Sequence, residues 1–491
     1  MEFLEILTST LDPMTLFLVV LGTLFGIVIG VLPGMGPTVA CAVVLPFTAG
    51  MEPLDAITLL VAIYCAGTYG GSVSAILINT PGTPASVATA LDGYPLAQKG
   101  QAGRALGIAT VSSAIGGLVA VVIFILSAPA LAKVAYQFGP AEYFALTVFG
   151  LCMLTTIGGD PLKSMISGLF GILLATIGLD IMTGVARFTF NNAHIADGLS
   201  FVPVLVGLFA ISEFLLQSTR HGIKRETIKL DAIRLPSRDD YRQIWKTILR
   251  GTGIGTFVGI LPAEGGTVAA IMSYNEERRW SKTPEDFGKG SINGIAAAES
   301  ANNAATAGAM VPTLALGIPG GGTTAVILAA LVMHGLRPGP QLFLEQAEFF
   351  YGIGITMALA NICFFVLGLY LARHFAKVTL IPAAILWPII AVISVVGIYS
   401  FGQSMFDVAV MLGAGVIGFF MKRYGFSPIA LAIGLVLGGL VETTLRQSLV
   451  IYDGNALLLF SSPLAVVFFV MAALALLGPM IKKTISRLRI E

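Results

Sequence analysis

The sequence predicts an all-α polytopic membrane protein: two inverted repeats with Gly/Pro-broken re-entrant hairpins and about 10–12 membrane-crossing segments. Three observations lead there. Of 491 residues, 56% are apolar and only 11% charged, whereas a soluble domain carries roughly 25% charged residues. So few charges do not cover a soluble surface of this size. Apolar runs of spanning length recur along the whole chain, and a stretch near the N-terminus returns after the midpoint.

A spanning helix needs about 20 mostly apolar residues. In the first half, runs near 14–32, 55–78, 103–127, 141–157, 161–180 and 199–218 reach or approach that length. In the second half, the runs lie near 245–262, 348–372, 382–400, 404–421, 427–443 and 463–481. Net charge is +1, which points to neither nucleic acid nor an acidic partner. Its distribution is uneven: Glu2, Glu5, Asp12, Glu52, Asp55 and Asp92 all precede the first cation, Lys99. The polar segment 219–250 holds nine Lys or Arg against four acids, and the positive-inside tendency puts it in the cytoplasm. The same tendency places Lys99 to Arg104, Lys422-Arg423, Lys482, Lys483, Arg487 and Arg489 inside and the acidic N-terminus outside. The opening MEFLEILTST lacks the basic n-region of a cleaved signal peptide, so the spans themselves are expected to direct insertion. Cys41, Cys65, Cys152 and Cys363 stand singly in apolar runs, as small buried hydrophobes do.

Residues 22–40 read GTLFGIVIGVLPGMGPTVA and residues 251–269 read GTGIGTFVGILPAEGGTVA, identical at ten of 19 positions, where biased composition alone gives roughly two. A weaker echo follows: Ala66-Gly67-Thr68-Tyr69-Gly70 parallels Ala304-Ala305-Thr306-Ala307-Gly308, and Pro81-Gly82 parallels Pro319-Gly320. The chain therefore divides into a first membrane repeat (1–220), a basic cytoplasmic linker (221–244) and a second repeat (245–491). After the second motif the first half is basic, with Lys99 and Arg104. The matching part of the second half has Arg337 beside Glu345 and Glu348. That difference in charge argues for opposite orientation in the bilayer. Inverted repeats are a signature of secondary transporters, whose site lies near the midplane where the repeats meet.

Each repeat puts Gly and Pro inside apolar stretches that would otherwise span: Leu32-Pro33-Gly34-Met35-Gly36-Pro37-Thr38, Asn79-Thr80-Pro81-Gly82-Thr83-Pro84, Leu261-Pro262-Ala263-Glu264-Gly265-Gly266-Thr267, and Gly317-Ile318-Pro319-Gly320-Gly321-Gly322-Thr323-Thr324. Pro removes a helix donor and clashes with the preceding turn. A break at membrane depth is tolerable only inside protein or beside water, ions or substrate. Unwound segments offer carbonyls to a cation and helix N-termini to an anion. The alternative is that these small residues only permit close helix packing. The candidate substrate-binding residues are Gly34, Gly36, Thr38, Asn79, Thr80, Gly82, Thr83, Gly320, Gly321, Gly322, Thr323 and Thr324.

An acid at membrane depth is a functional candidate, which singles out Glu264 and Glu299. Asn302 and Asn303 can supply neutral oxygens to a hard cation such as Na⁺, or bond to neighbouring helices. With Pro33 and Gly265 these complete the candidate cation-binding set; otherwise Glu299 is a helix-end acid at the interface. Glu213, Asp407 and Glu442 lie near span ends, where solvated or snorkelling positions are ordinary. His194, His221, His334 and His374 lack ligand spacing.

No G-x-x-x-x-G-K-[ST] occurs, so ATP hydrolysis by a Walker mechanism is excluded, and neither H-E-x-x-H nor G-x-S-x-G appears. Transport by an ion gradient or partner remains, beside a passive channel or an intramembrane enzyme pairing Glu264 with Glu299. No Lys or Arg occurs within 22–98 or 290–336, so an anion bound there is neutralised by backbone N–H groups, hydroxyls and co-bound cations.

The segments LPGMGPT, NTPGTPASVATALDGYPLAQKGQAGRALG (79–107), PAEGG, ESANNAATAG, IPGGGTTA and HGLRPGP together resemble the large membrane subunit of tripartite tricarboxylate transporters, the TctA type. The resemblance covers nearly the whole chain. It implies a bacterial inner-membrane permease working with a small membrane subunit and a periplasmic solute-binding protein. It also implies import of citrate-like di- and tricarboxylates by Na⁺ or H⁺ symport, without a cofactor. A stand-alone organic-anion carrier is the alternative.

Overall fold

The computed structural model describes residues 10–156, 160–180, 182–196, 198–219, 233–262, 265–378, 381 and 383–488. Residues 221–232 of the basic linker, Glu264 and Arg489 lie outside them. Among the described residues the protein is all-α, apart from a ribbon pairing Gly178–Leu179 with Ala186–Arg187. Among the described residues, eight helices are long and apolar enough to cross a membrane: Pro13–Val31, Pro53–Ile78, Ser86–Ala135, Phe201–Ser218, Ala347–Leu371, Ile385–Gly402, Met405–Arg423 and Pro428–Ile451. This is a multi-pass membrane protein. Large apolar side chains on these helices, such as Leu126, Tyr370 and Val392, point outward, as lipid-facing residues do.

Among the described residues, eight such helices stand beside the 10–12 crossing segments expected, and other apolar runs form shorter or more polar helices. Pro140–Met153 and Pro161–Ala175, read as spans 141–157 and 161–180, are 14 and 15 residues long. The stretch 245–262 belongs to a helix beginning at Arg238, which also carries Asp239, Asp240, Arg242, Lys246 and Arg250.

The chain divides into two compact units, Met1–Ala132 with Gln217–Gly397, and Lys133–Leu216 with Ile398–Glu491. Each draws on both sequence halves. In the first unit one helix order occurs twice. It runs α1 (Pro13–Val31), α2 (Pro37–Val44), α3 (Pro53–Ile78), α4 (Ser86–Leu96) and α5 (Ala102–Ala135). It then runs α6 (Arg238–Ile260), α7 (Gly265–Trp280), α8 (Ile292–Leu316), α9 (Gly322–Met333) and α10 (Ala347–Val378).

The packing repeats as well. Gly22, Gly26 and Gly30 of α1 lie so close to α3 that a Cβ would approach the Leu59, Ile63 and Gly67 carbonyl oxygens to 2.8, 2.7 and 2.3 Å. In α6, a Cβ on Gly251, Gly255 or Gly259 would approach the Ala297, Ala301 or Ala305 carbonyl oxygen of α8 to 3.0, 2.3 or 2.7 Å. The α1 and α6 glycines are 229 positions apart (22 to 251), and the residues they touch are 238 apart (59 to 297). Gly70 against Ile27 and Gly308 against Thr256 obey the same two shifts. Without hydrophobic pressure between helices in lipid, small residues at every fourth position give the backbone approach that dispersion needs.

In the second unit Gly171 faces the Leu431 carbonyl and Gly434 the Gly168 carbonyl in the same manner. Lys422 pairs with Glu213 at 2.6 Å. Next to the ribbon, Asp180 accepts from the Met182 and Thr183 amides at 2.8 and 2.9 Å and pairs with Arg446 at 2.6 Å. Glu442 bridges Arg187 at 2.5 Å and Arg446 at 3.1 Å. The Thr183 amide first, then Arg446 and the Met182 amide, holds the Asp180 carboxyl well below the usual carboxylate range, against the opposing effect of burial.

Two predictions follow from this packing. Gly255→Leu should lower the unfolding temperature of the detergent-solubilised protein, because overpacking costs about 1–3 kcal/mol. Gly253→Leu, on the same helix with nothing within 4 Å of its Cβ, should leave it unchanged; equal effects would refute the stripe. Because the native Asp180 carboxyl titrates below its unfolded value, its contribution is complete above the ordinary carboxylate range and is lost as pH falls towards the native value. Amide exchange of 178–187, corrected for intrinsic pH dependence, should therefore accelerate below about pH 4, and Arg446→Met should move that onset upward.

Candidate functional site

All four Gly/Pro segments interrupt helices. After α1 ends at Val31, the Leu32 amide bonds the Ile29 carbonyl at 3.0 Å and the Met35 amide bonds the Leu32 carbonyl at 3.1 Å. Gly34 adopts φ +83°, open to glycine without strain, before Pro37 starts α2. Helix α3 stops at Asn79, itself left-handed at φ +49°. Helix α6 stops at Ile260, and α7 resumes at Gly265. Helix α8 stops at Gly317 (φ +70°), and α9 begins at Gly322.

Three of the breaks touch. The Gly36 amide reaches the Gly82 carbonyl at 3.4 Å, and the Gly82 amide donates to the Gly71 carbonyl at 3.2 Å. The Thr38 and Thr323 hydroxyls, at the second positions of α2 and α9, meet at 2.8 Å. Two helix N-termini, one from each sequence half, therefore converge. Their first N–H groups lack intrahelical partners and carry the positive ends of the helix dipoles. At the third break, a Cβ on Gly266 would come 3.3 Å from Asn302 Oδ1 on α8.

The candidate substrate residues sort by access. Gly34 and Asn79 are exposed, and Gly36, Thr38, Thr80 and Gly321 are half-buried, as is Pro33 of the candidate cation set. Gly82, Thr83, Gly320, Gly322, Thr323 and Thr324 are buried. Thr83 accepts from the Ser86 amide at 3.3 Å where α4 begins, and Thr324, the third residue of α9, accepts from the Gly321 amide just before that helix at 2.9 Å. A Cβ on Gly320 would come 2.7 Å from that of Ala309, so this glycine serves close packing. The same is true of Gly82, packed against Gly30 and Gly71.

Among the described residues of this unit, two acids are fully buried. Glu299 on α8 accepts hydrogen bonds from Ser72 at 2.5 Å, Ser113 at 2.7 Å and Thr89, on α3, α5 and α4 respectively. Asp92 on α4 accepts at Oδ1 from the Gly288, Gly290 and Ser291 amides, each 2.8 Å, and at Oδ2 from the Tyr274 hydroxyl at 2.9 Å. Gly288 and Gly290 are both left-handed (φ +81° and +103°), which aims three amides at one oxygen. One turn beyond Glu299, Asn303 is buried, and among the described residues its Oδ1 and Nδ2 and the Nδ2 of Asn302 have no hydrogen-bond partner. A buried amide with both ends unpaired is costly unless a ligand completes it.

The sequence profile described as "Tripartite tricarboxylate transporter TctA family" matches residues 16–433. The chain belongs to the TctA family. It is thus a membrane transporter subunit of a tripartite tricarboxylate system, and TctA is not an enzyme family. The Agrobacterium vitis "Uncharacterized 52.8 kDa protein in TAR-I ttuC' 3'region" is 39% identical over 458 residues, 93% of this chain and 91% of the relative. The "Uncharacterized protein in TAR-II ttuC' 3'region" from the same organism is 37% identical over 211 residues, 43% of this chain and 87% of the relative. No solved structure matches this TctA chain.

Asp92 and the hydroxyls around Glu299 escaped the sequence reading. Ser72, Thr89 and Ser113 are isolated small residues on mostly buried helices, and nothing in their spacing says that all three point at one carboxylate. Asp92 binds the two sequence halves of this TctA protein together. Asp92→Ala should therefore accelerate amide exchange at Gly288, Gly290 and Ser291 by about tenfold or more, since a hydrogen bond to a charged group contributes about 1.5–3 kcal/mol. Unchanged exchange would mean that the loop holds itself.

Proposed function

We propose that this TctA protein imports citrate-like di- and tricarboxylates across the bacterial inner membrane, by cation symport with alternating access between inverted repeats. A periplasmic solute-binding protein delivers the substrate, and a small membrane subunit completes the assembly, as the tripartite family implies. The observation that carries the substrate class is the Thr38–Thr323 contact, where two helix N-termini face one place in a region without Lys or Arg. Dipole ends and hydroxyls attract carboxylates there without a fixed counter-charge that would hold them. Gly34, Gly36, Asn79, Thr80 and Gly321 form the reachable rim, and the buried glycines and threonines shape the breaks behind it.

Pro33, Gly265, Glu264, Glu299, Asn302 and Asn303 remain the candidate cation ligands. The amides of Asn302 and Asn303, without partners among the described residues, favour this reading, as does the need to neutralise a polycarboxylate. Each ligand lowers the cost of burying the other, so their binding is cooperative.

The test is uptake of radiolabelled citrate, with other carboxylates in parallel, into proteoliposomes holding the three-component assembly. Accumulation and accelerated counterflow are expected; counterflow without acceleration would indicate a channel. Thr38→Val and Thr323→Val should each weaken substrate binding about tenfold, the lower end for a hydrogen bond to a charge. Affinity should rise with Na⁺ or with falling pH. Wild-type affinity in both variants, or indifference to both cations, would overturn the assignment.

A further inference from the structure

Where α5 and α6 begin, a cavity of about 380 Å³ opens on the side of the basic linker, a volume ordinary for a small-molecule site. Gly103 and Arg104 of α5 form one wall. Ser237 and Asp240, at the start of α6, form another, and Arg234, from the stretch just before α6, forms a third.

The walls are held in place without using all their donors. The Arg234 amide donates to the Gly103 carbonyl at 3.2 Å, and Gly107 lies so close to the Arg234 carbonyl that a Cβ would not fit. These contacts pin the stretch before α6 to α5. Arg104 is oriented by Gln101 at 2.8 Å and Asp240 at 2.5 Å. The other Asp240 oxygen accepts from the Ser237 amide at 2.9 Å. Arg234 is exposed, and its guanidinium is in no ion pair among the described residues. The Ser237 hydroxyl oxygen accepts from the Asp240 amide at 3.1 Å, which leaves its proton to donate. Two arginines (+2) and one aspartate (−1) leave the cavity one positive charge. A phosphodiester carries one negative charge, and the planar guanidinium fork matches its oxygens.

The cavity also stands at the edge of the apolar zone. Arg104 is the last charged residue of α5 before Lys133. On α6 a ridge of exposed side chains leads from the cavity towards the apolar end of the helix, one per turn: Ser237, Tyr241, Trp245 and Leu249. Residues four apart are neighbours on a helix surface. Trp245 and Leu249 are 50% and 51% exposed, and one turn further a Cβ on Gly253 would meet nothing within 4 Å. Tyr and Trp favour the headgroup level of a bilayer, and Lys246 stands over the Trp245 ring, 5.4 Å from its centroid. Ser237 belongs to both cavity and ridge. A positive cavity continuous with an apolar ridge matches a lipid, phosphate at one end and acyl chain at the other. A soluble anion would leave the ridge unused.

We propose that this cavity binds the headgroup of an anionic phospholipid, its phosphodiester on Arg234, Arg104 and the Ser237 hydroxyl and an acyl chain along Tyr241, Trp245 and Leu249. A zwitterionic lipid is disfavoured, because the one carboxylate of the cavity is committed to Arg104 and does not serve an ammonium group. Arg104 lies in the first sequence half and Arg234 and Ser237 in the linker that follows, so the lipid fastens the two together.

Native mass spectrometry of the full-length protein in detergent, titrated with dioleoyl phosphatidylglycerol, should show one lipid bound more tightly than those that follow. Arg234→Gln should weaken that first site by about tenfold, the lower end for a hydrogen bond to a charge, and dioleoyl phosphatidylcholine should be weaker by at least as much. Arg238→Gln removes another exposed charge, at the start of α6 but outside the cavity, and should leave the affinity unchanged. Equal loss in both variants would mean diffuse surface charge, and equal affinity for the two lipids would mean no headgroup selection; either overturns the assignment. Excess inorganic phosphate should not displace the lipid, and displacement would make this a site for a free anion instead.

A phosphatidylglycerol with a photoactivatable acyl chain, in nanodiscs with the protein, should label the segment Tyr241 to Leu249. Labelling confined to other segments overturns the assignment whether or not Arg234→Gln folds. If the small membrane subunit, reconstituted with this chain, shields that segment from the label, the ridge is a protein interface and the lipid assignment falls.

Discussion

Hydrocarbon offers no partner to a peptide N–H or C=O, and this constraint governs how the protein is built. An intact helix satisfies it unaided, whereas an interrupted one must find partners elsewhere. Here the interruptions lean on one another and on their own caps. Gly36 reaches Gly82, Gly82 donates to Gly71, Ile318 donates to Pro312, and Gly321 bonds the Thr324 hydroxyl. Such short-range solutions require backbones to touch, which explains why glycine concentrates at the breaks and along the stripes of α1 and α6. The stripes are what allow the breaks to exist.

Where charge is buried in so apolar a body, each carboxylate has its own set of partners. Asp92 rests on fixed amides and ties α4 to the loop before α8. Glu299 rests on rotating hydroxyls. In the second unit Asp180, Arg187, Glu442 and Arg446 neutralise one another beside the Gly178–Arg187 ribbon. The region holding three of the breaks carries no Lys or Arg, so the positive potential available to an anion there comes from peptide dipoles.

Much of this could be read from the chain directly. Pro33, Pro81, Pro262 and Pro319 mark the helix interruptions because proline lacks a donor and obstructs the preceding turn, whatever the context. The repeated 19-residue block announced that contacts would recur, and glycine positions 22, 26 and 30 reappear as 251, 255 and 259. Span number was less legible. Residues 141–157 and 161–180 look long enough by hydropathy, yet their helices stop at Met153 and Ala175. Hydropathy measures solvent preference, not where a helix ends.

By itself, the sequence determined the solvent, the broken helices and the duplication, since each depends on composition or on neighbours within one turn. Only the tertiary structure decided which breaks meet, that Thr38 finds Thr323 across 285 positions, and that three scattered hydroxyls surround Glu299. It also decided that Gly82 and Gly320 are packing positions while Gly34 and Asn79 stay accessible. Those outcomes depend on the approach of distant helices, set by interlocking surfaces that no local pattern records.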